Sequence, residues 1–171
     1  MGRTQPGKRF GSGDRLAGTR LVASRPTPWA DGEAPERAVT AVVCTHNGER
    51  FLADQLQSIL DQTTPVAEII ISDDASRDRT IQIAQSILDD SGFPYRIYSR
   101  PQPLRVAANF HFAITRVRTE FAALADQDDR WHLGKNERLL QVFKENPRLE
   151  LVHSDARVID DLGQPLGGTI F

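Results

Sequence analysis

Short apolar runs that alternate with helical patterns are the feature that most restricts how this chain can fold. The run at 38–45, AVTAVVCT, is rich in β-branched residues and unbroken, which is typical of a strand buried on both faces. A second such run, AEIIIS, occupies 67–72. Between them, apolar residues recur at helical spacing over 49–61, and Pro65 prevents continuation of the helix. This order favours a right-handed crossover between two parallel strands.

The alternation of strand and helix continues towards the end of the chain. Strands are predicted at 95–99, 121–125 and 149–154, and a turn at 161–163 indicates a hairpin or loop over 157–171. Helices are predicted from Ser76, over 106–117 with Val106, Phe110, Ile114 and Val117 inward, and over 135–145. The predicted fold class is therefore α/β, with a mostly parallel sheet and helices on both faces.

The first 37 residues differ in composition from the rest of the chain. They carry seven basic and four acidic side chains, are rich in glycine and proline, and show no sustained period of 2 or 3.6. Such a segment buries too little apolar surface to offset its ordering entropy. The sequence therefore predicts a disordered basic leader over 1–37 and one folded domain over 38–171. The leader is interpreted as a solvated extension, with contact to an acidic membrane surface or RNA as the alternative.

Charge and cysteine content exclude several classes of protein. The 171 residues include 21 Lys and Arg against 23 Asp and Glu, with a formal net charge of −2, which argues against a nucleic acid as partner. No apolar run approaches the roughly 20 residues that cross a bilayer, and the first residues lack the apolar stretch of a secretory signal, so the sequence predicts a cytoplasmic protein. The single cysteine, Cys44, forms no internal disulfide and is expected to be a buried, inert thiol.

Polar residues follow three of the predicted strands: residues 45–47, the pair Asp73 and Asp74, and DQDD at 126–129. Ligands of open α/β sheets bind beyond the carboxyl ends of the strands, where these residues converge. Carboxylates a few ångströms apart raise one another's pKa, and a hard divalent cation removes that repulsion. Because Mg²⁺ or Mn²⁺ also bridges carboxylate to phosphate oxygens, the pattern favours a site for a nucleoside diphosphate.

Other interpretations of these residues stay open. Asp73 and Asp74 also suit the N-terminus of the following helix, and DQDD also suits a solvated turn. A nucleotidyltransferase has a similar α/β layout with metal-bound aspartates, but residues 45–48 contain one glycine where that class has a glycine-rich phosphate loop. A non-catalytic module that binds a nucleotide-sugar or a partner protein is a further alternative.

Three segments, taken together, resemble a known family. AVVCTHNGERFLADQLQSILDQT, EIIISDDASRDRT and AALADQDDRW, in this order and spacing, resemble the N-terminal half of a family 2 glycosyltransferase with the GT-A, Rossmann-like fold. The resemblance covers about residues 38–160. The DQDDRW and NGERFL forms are similar to the bacterial branch that includes rhamnosyltransferases of cell-surface polysaccharide assembly.

The resemblance implies a role for each matching residue. It implies nucleotide-sugar contacts for Thr45, Asn47, Asp74, Arg105, Asn109 and Asp126. Asp128, the second aspartate of the Asp-x-Asp motif, would hold Mg²⁺ or Mn²⁺, and Trp131 would pack the loop. The chain departs from the family pattern at three places: His46 replaces a tyrosine, Arg105 replaces a glycine, and no proline precedes Lys135.

The resemblance also implies an activity. We expect inverting, metal-dependent transfer of a sugar from a UDP- or dTDP-sugar to a hydroxyl of a glycan or lipid-linked acceptor, with peripheral association at the inner face of the membrane. The catalytic general base is expected beyond Phe171, since the carboxylates at 155, 160 and 161 suggest a strand end and a turn. The chain would then be a GT-A domain incomplete at its C-terminal end, with a truncated, non-catalytic binding or interaction module as the alternative.

Overall fold

The computed structural model describes residues 18–29 and 32–170, which form seven strands and four helices. The strands are β1 (Arg20–Arg25), β2 (Val39–Thr45), β3 (Glu68–Asp73), β4 (Tyr95–Ser99), β5 (Phe121–Asp126), β6 (Arg157–Ile159) and β7 (Pro165–Thr169). The helices are α1 (Leu52–Leu60), α2 (Thr80–Ser91), α3 (Val106–Ile114) and α4 (Lys135–Glu145). Among these residues no helix has the length and apolarity needed to cross a bilayer.

Five strands form one sheet in the order β1-β4-β3-β2-β5. The pairs β2–β3, β2–β5 and β3–β4 are parallel, and β1 is antiparallel to β4. The strands β6 and β7 form a separate antiparallel hairpin, as the sequence predicts for 157–171. The predicted α/β class with a mostly parallel sheet is therefore confirmed.

Each central strand buries both of its faces. Val43 and Ile71 point into a cluster with Leu56 of α1 and Leu88 of α2, while Val42 and its neighbours pack against α3 on the opposite face. Successive side chains of a strand point to opposite faces, so an unbroken apolar run fits a strand that is covered by helices on both sides. This explains why β2 and β3 carry no polar alternation.

The parallel register gathers the carboxyl ends of the strands at one edge. Thr45 pairs with Asp73, and Cys44 pairs with Asp126. The chain leaves β2, β3 and β5 at this edge through the loops that carry the predicted polar residues. The edge is therefore where a ligand can meet all three loops at once.

The prediction of a disordered leader is wrong for residues 20–25, which form β1. Its residues pair with β4 from Arg20–Ser99 to Arg25–Tyr95, with a bulge between Leu21 and Ala23. The strand is half-exposed, and Val22 and Ala23 touch the core only at its margin. Main-chain pairing to a sheet edge requires little apolar pattern, so composition does not reveal it. Residues 1–17, 30 and 31 lie outside the described residues.

The predicted inner face of α3 is wrong for Val106 and Ile114, whereas Phe110 and Val117 pack against the core as predicted. Val106 is 70% exposed and Ile114 is 41% exposed, whereas Asn109, Phe112 and Ala113 are buried. The helix turns its polar Asn109 towards the sheet because the side chain finds hydrogen-bond partners there. Apolar periodicity cannot detect a helix face that includes a satisfied amide.

Two further predictions are corrected by the structure. Residues 149–154 are irregular rather than a strand, with Leu149 and Leu151 exposed, so within the described chain β5 is an edge strand. The helix α2 begins at Thr80 and not at Ser76, since the Ser76 backbone N–H donates to Asp73 and closes the preceding loop. Strand β4 and helix α4 have the predicted bounds.

Leu56→Ala is expected to lower the free energy of unfolding by about 2–5 kcal/mol, because this fully buried side chain leaves a cavity between α1 and the sheet. Leu162→Ala is the control, since Leu162 is 78% exposed and its change should stay within about 0.5 kcal/mol. Urea unfolding followed by circular dichroism measures both. Equal losses in the two variants would contradict the assigned core.

Candidate functional site

A cavity of about 350 Å³ lies beyond the carboxyl ends of β2, β3 and β5. Its lining residues are Cys44, Thr45, His46, Asp74, Val106, Asn109, Phe110, Asp126, Gln127 and Asp128. Five of the seven predicted site residues are thus brought together. The other two, Asn47 and Arg105, are outside the lining.

The two aspartates at the end of β3 have different surroundings. Asp73 is fully buried, accepts a hydrogen bond from Thr45 Oγ1 at 2.9 Å, and closes its own loop through the Ser76 backbone N–H at 3.1 Å. Asp74 lines the cavity and accepts the backbone N–H groups of Leu104 at 2.7 Å and Arg105 at 2.8 Å. Asp73 therefore holds the loop together, and Asp74 is the one that faces the cavity.

A buried arginine that the sequence did not single out holds Asp74. Arg100 follows β4 directly, and its guanidinium Nη1 lies 3.0 Å from Asp74 Oδ1 and 2.6 Å from Asn109 Oδ1. Its Nη2 donates to Ser72 Oγ at 2.9 Å, and the guanidinium lies 4.8 Å from the centre of the Phe112 ring. Its side chain is fully buried. A charged residue at the carboxyl end of a central strand was the available sequence signal, and it is a weak one.

Asn109 is held from two sides. Its Nδ2 donates to the carbonyl of Ser72 at 2.8 Å, and its Oδ1 accepts from Ser72 Oγ and Arg100 Nη1, each at 2.6 Å. Both ends of the amide are therefore occupied inside the protein. The side chain forms part of the cavity wall and fixes α3 against β3.

The loop after β2 is ordered by a chain of hydrogen bonds. The ring Nδ1 of His46 lies 2.6 Å from the carbonyl of Asp74, which only accepts, so Nδ1 carries a proton. Asn47 Nδ2 lies 3.1 Å from His46 Nε2, and Asn47 Oδ1 accepts the backbone N–H of Arg77 at 2.9 Å. These bonds fit a neutral imidazole whose Nε2 accepts, and they link the first loop to the second.

The acidic loop at 126–129 lies on the third side. Burial raises the pKa of Asp126, and the carboxylates of Asp129 and Asp128 raise it further. Burial and Asp128 also raise the pKa of Asp129, against the opposing effect of Lys135. Trp131, 6% exposed, is part of the core cluster, which confirms the prediction that it packs the loop. The negative charge that Lys135 leaves unbalanced suits this loop to a cation.

Arg105 has a backbone conformation that glycine adopts far more readily. Its φ of 70° and ψ of 167° lie in a region that costs other residues roughly 1–3 kcal/mol. Within the described part of the chain, its exposed guanidinium makes no ion pair. The strain is held by the bond from its backbone N–H to Asp74 Oδ2.

The described residues contain no group of three or more His, Cys, Asp or Glu side chains that could hold a metal ion by themselves. Carboxylates from the acidic loop can supply only part of a coordination shell. Mg²⁺ is commonly bound in this way, with one or two protein carboxylates and the remaining ligands from phosphate and water. The donor set therefore fits a cation that arrives with a phosphorylated ligand.

A second, smaller cavity of about 210 Å³ separates the acidic loop from the β6–β7 hairpin. Two exposed ion pairs border it, Arg50 with Asp161 of the hairpin and Arg130 with Asp54 of α1. Exposed pairs of this kind contribute little stability.

Comparison with known sequences identifies a matching family. The model for glycosyl transferase family 2 matches residues 40–165. The Bacillus subtilis protein TuaG, whose name refers to teichuronic acid biosynthesis, is 29% identical over 107 residues, which are 63% of this chain and 42% of TuaG. The dTDP-rhamnosyl transferase RfbG of Shigella flexneri is 32% identical over 99 residues, which are 54% of this chain and 34% of RfbG. The chain therefore spans less than half the length of these relatives.

Solved structures show the same fold. The S. aureus TarS 1–349 structure in complex with UDP has a TM-score of 0.58 at 18% identity, over 71% of this chain and 41% of that one. The mannosyltransferase PcManGT from Pyrobaculum calidifontis, in complex with GDP-Man and Mn²⁺, has a TM-score of 0.53 at 20% identity, over 70% and 35%. Together with the sheet order, these similarities establish the GT-A fold.

Arg100→Met is expected to lower the free energy of unfolding by about 3–5 kcal/mol, because it leaves the Asp74 carboxylate buried beside an apolar side chain. Arg50→Met is the matched control: it breaks an exposed pair with Asp161 and should cost at most about 1 kcal/mol. Urea denaturation compares the two. A loss for Arg100→Met as small as that of the control would mean that the buried pair does not hold the site.

Cys44 is expected to resist alkylation in the native protein. Burial raises the pKa of its thiol from the ordinary 9.0 to about 12, so the native side chain stays protonated at pH 9 while the unfolded chain is partly thiolate. Iodoacetamide labelling at pH 9, followed by mass spectrometry, should be at least about tenfold slower without urea than with it. Equal rates would show that the cavity leaves the thiol open to solvent.

Proposed function

This chain belongs to glycosyl transferase family 2, and we propose that it binds a nucleoside-diphosphate sugar in the cavity at the ends of β2, β3 and β5. The observation that carries this proposal is the convergence of Thr45, Asp74, Asn109, Asp126 and Asp128 on one cavity. The carboxyl ends of three parallel strands and the loops that follow them supply four of these residues, and α3 supplies Asn109; this is the usual location of ligands in open α/β sheets. The activity proposed for the site is transfer of the sugar to an acceptor hydroxyl.

Each side of the cavity suits a different part of the donor. Asp74 accepts one bond at Oδ2, from the Arg105 backbone, and this oxygen retains capacity for the N–H of a uracil or thymine base. Thr45 and Asn47 belong to the same nucleotide side, and Asn109 forms its wall. Arg105 would bring its cation to the diphosphate, since its guanidinium has no acidic partner among the described residues.

The acidic loop suits the diphosphate and the sugar. Asp126 is proposed to accept hydrogen bonds from ribose or sugar hydroxyls, and Asp128 to hold Mg²⁺ or Mn²⁺ together with phosphate oxygens. A divalent cation bound there would neutralise the charge that develops on the departing nucleoside diphosphate. The PcManGT structure, which contains Mn²⁺ together with GDP-Man, supports this assignment.

The finer features of the reaction are proposals from the resemblance. They are inversion at the anomeric carbon, UDP or dTDP as the nucleotide, and a glycan or lipid-linked acceptor in cell-surface polysaccharide assembly, at the cytoplasmic face of the membrane. The names of TuaG and RfbG support a polysaccharide product and a dTDP-sugar donor. The domain is proposed to comprise residues 38–171 together with β1, which pairs with β4 in the same sheet.

A second candidate function is binding of the donor without transfer. The proposed ligand residues that line the cavity are all assigned to the donor, and this observation favours a nucleotide-sugar-binding or interaction module. Release of UDP or dTDP from a donor sugar in the presence of an acceptor would support the enzyme. Tight donor binding without release would support the module.

Asp128→Asn is expected to weaken binding of UDP or dTDP by about tenfold or more in the presence of Mn²⁺, which corresponds to about 1.4 kcal/mol. The reason is that the substitution removes one negative charge from the proposed cation site. Calorimetric titration of each nucleotide, with Mn²⁺ and with a chelator, measures the effect.

Asp90→Asn is the control for this substitution, because Asp90 is exposed near the C-terminal end of α2, away from the loops that form the cavity. Its affinity should equal that of the original chain. A folded chain that binds neither nucleotide under any of these conditions would overturn the proposed donor site.

A further inference from the structure

We propose that Gln127 is a positioning residue that fixes the acidic loop against the loop after β2. This inference rests on the function proposed above, because it concerns how the same donor site is held in shape. Gln127 is the middle residue of the Asp-x-Asp motif, and the motif itself assigns it no role.

The Gln127 side chain bonds both main-chain groups of one residue. Its Oε1 accepts the backbone N–H of His46 at 2.8 Å, and its Nε2 donates to the carbonyl of His46 at 3.1 Å. The side-chain amide of glutamine has one oxygen that accepts and one nitrogen that donates, as a peptide group does. Gln127 therefore pairs with the backbone of His46 in the way that a residue of a neighbouring strand would. Two bonds to one residue fix both the separation and the relative orientation of the loops.

These bonds begin where the pairing of the two strands ends. The parallel ladder between β2 and β5 stops at Cys44 and Asp126. Beyond that point, the loops that follow β2 and β5 carry proposed ligand groups but are no longer joined by strand pairing. The Gln127 amide thus continues the connection between the two loops, next to Thr45 in the first and Asp128 in the second.

Gly48 provides the space that the Gln127 side chain needs. A Cβ at Gly48 would lie 2.7 Å from Gln127 Cδ and still closer to Oε1. The φ angle of Gly48 is outside the left-handed region, so its backbone does not require glycine. A methyl group at this buried position would therefore have to displace the end of the Gln127 side chain.

The connection extends to the loop after β3, which carries Asp74. The His46 ring donates from Nδ1 to the carbonyl of Asp74, and the backbone N–H of Gly48 donates to Thr80 Oγ1 at 2.8 Å. Displacement of Gln127 would therefore loosen His46 and, through it, the loop of Asp74. Because Gln127 is neutral, it adds no repulsion to the carboxylates on either side of it.

The test uses two substitutions that change no proposed ligand group: Gln127→Ala removes both bonds, and Gly48→Ala displaces the side chain that makes them. Each is expected to weaken binding of UDP with Mn²⁺ by about 10- to 100-fold, as is typical of residues that orient metal ligands. The double variant should bind like Gln127→Ala alone, because the clashing Cδ and Oε1 atoms are then absent and only the Cβ of residue 127 remains near the added methyl group, at 3.3 Å. Gly32→Ala is the control, since a Cβ there meets no atom within 4 Å.

Hydrogen exchange of the His46 amide provides a readout that needs no ligand. Exchange should be faster in both single variants than in the original chain and unchanged in Gly32→Ala. Unchanged exchange in Gln127→Ala would overturn the connection itself. Faster exchange with unchanged UDP affinity would overturn the positioning role. If the original chain binds no nucleotide while its His46 amide is protected, the donor site fails and the positioning role fails with it, but the connection between the loops stands.

Discussion

The arrangement of the candidate site depends on the hydrogen bonds and the ion pair that the buried guanidinium of Arg100 makes. A charge removed from water is tolerated only when it is paired and hydrogen-bonded, and Arg100 meets this condition through Asp74, Asn109 and Ser72. These partners lie on the loop after β3, on α3 and on β3. One side chain at the end of β4 therefore determines the position of a helix and of a carboxylate that lines the cavity.

The sequence was sufficient to predict the parts of the fold that depend on apolar burial. The unbroken runs of β2 and β3, the bounds of β4 and the bounds of α4 follow from period and composition. The structure differs from the prediction where main-chain or polar contacts, and not apolar side chains, fix the position of an element. Main-chain pairing places β1 in the sheet, and the amide of Asn109 sets the rotation of α3. Such contacts join residues far apart in the chain and leave no local period.

The candidate site divides in the same way. Parallel strands that end in polar residues must converge, so Thr45, Asp74, Asp126 and Asp128 could be located from the strand pattern, whereas Asn109 comes from the resemblance. The choice of Asp74 over Asp73 comes from the resemblance and not from spacing, because adjacent aspartates look alike until their hydrogen-bond partners are known. The sequence pattern offers no reason to select Gln127. A neutral residue between two aspartates carries no chemical signature, and its role exists only in relation to His46 and Gly48.

The strained backbone of Arg105 has a consequence for any attempt to improve this protein. Selection for thermal stability alone should favour Arg105→Gly, since glycine occupies this conformation without steric cost. The same exchange would remove a cation from the edge of the cavity. At this position we therefore expect the substitution that raises stability to lower the affinity for the donor. A library selected first for stability would be depleted of variants with high donor affinity.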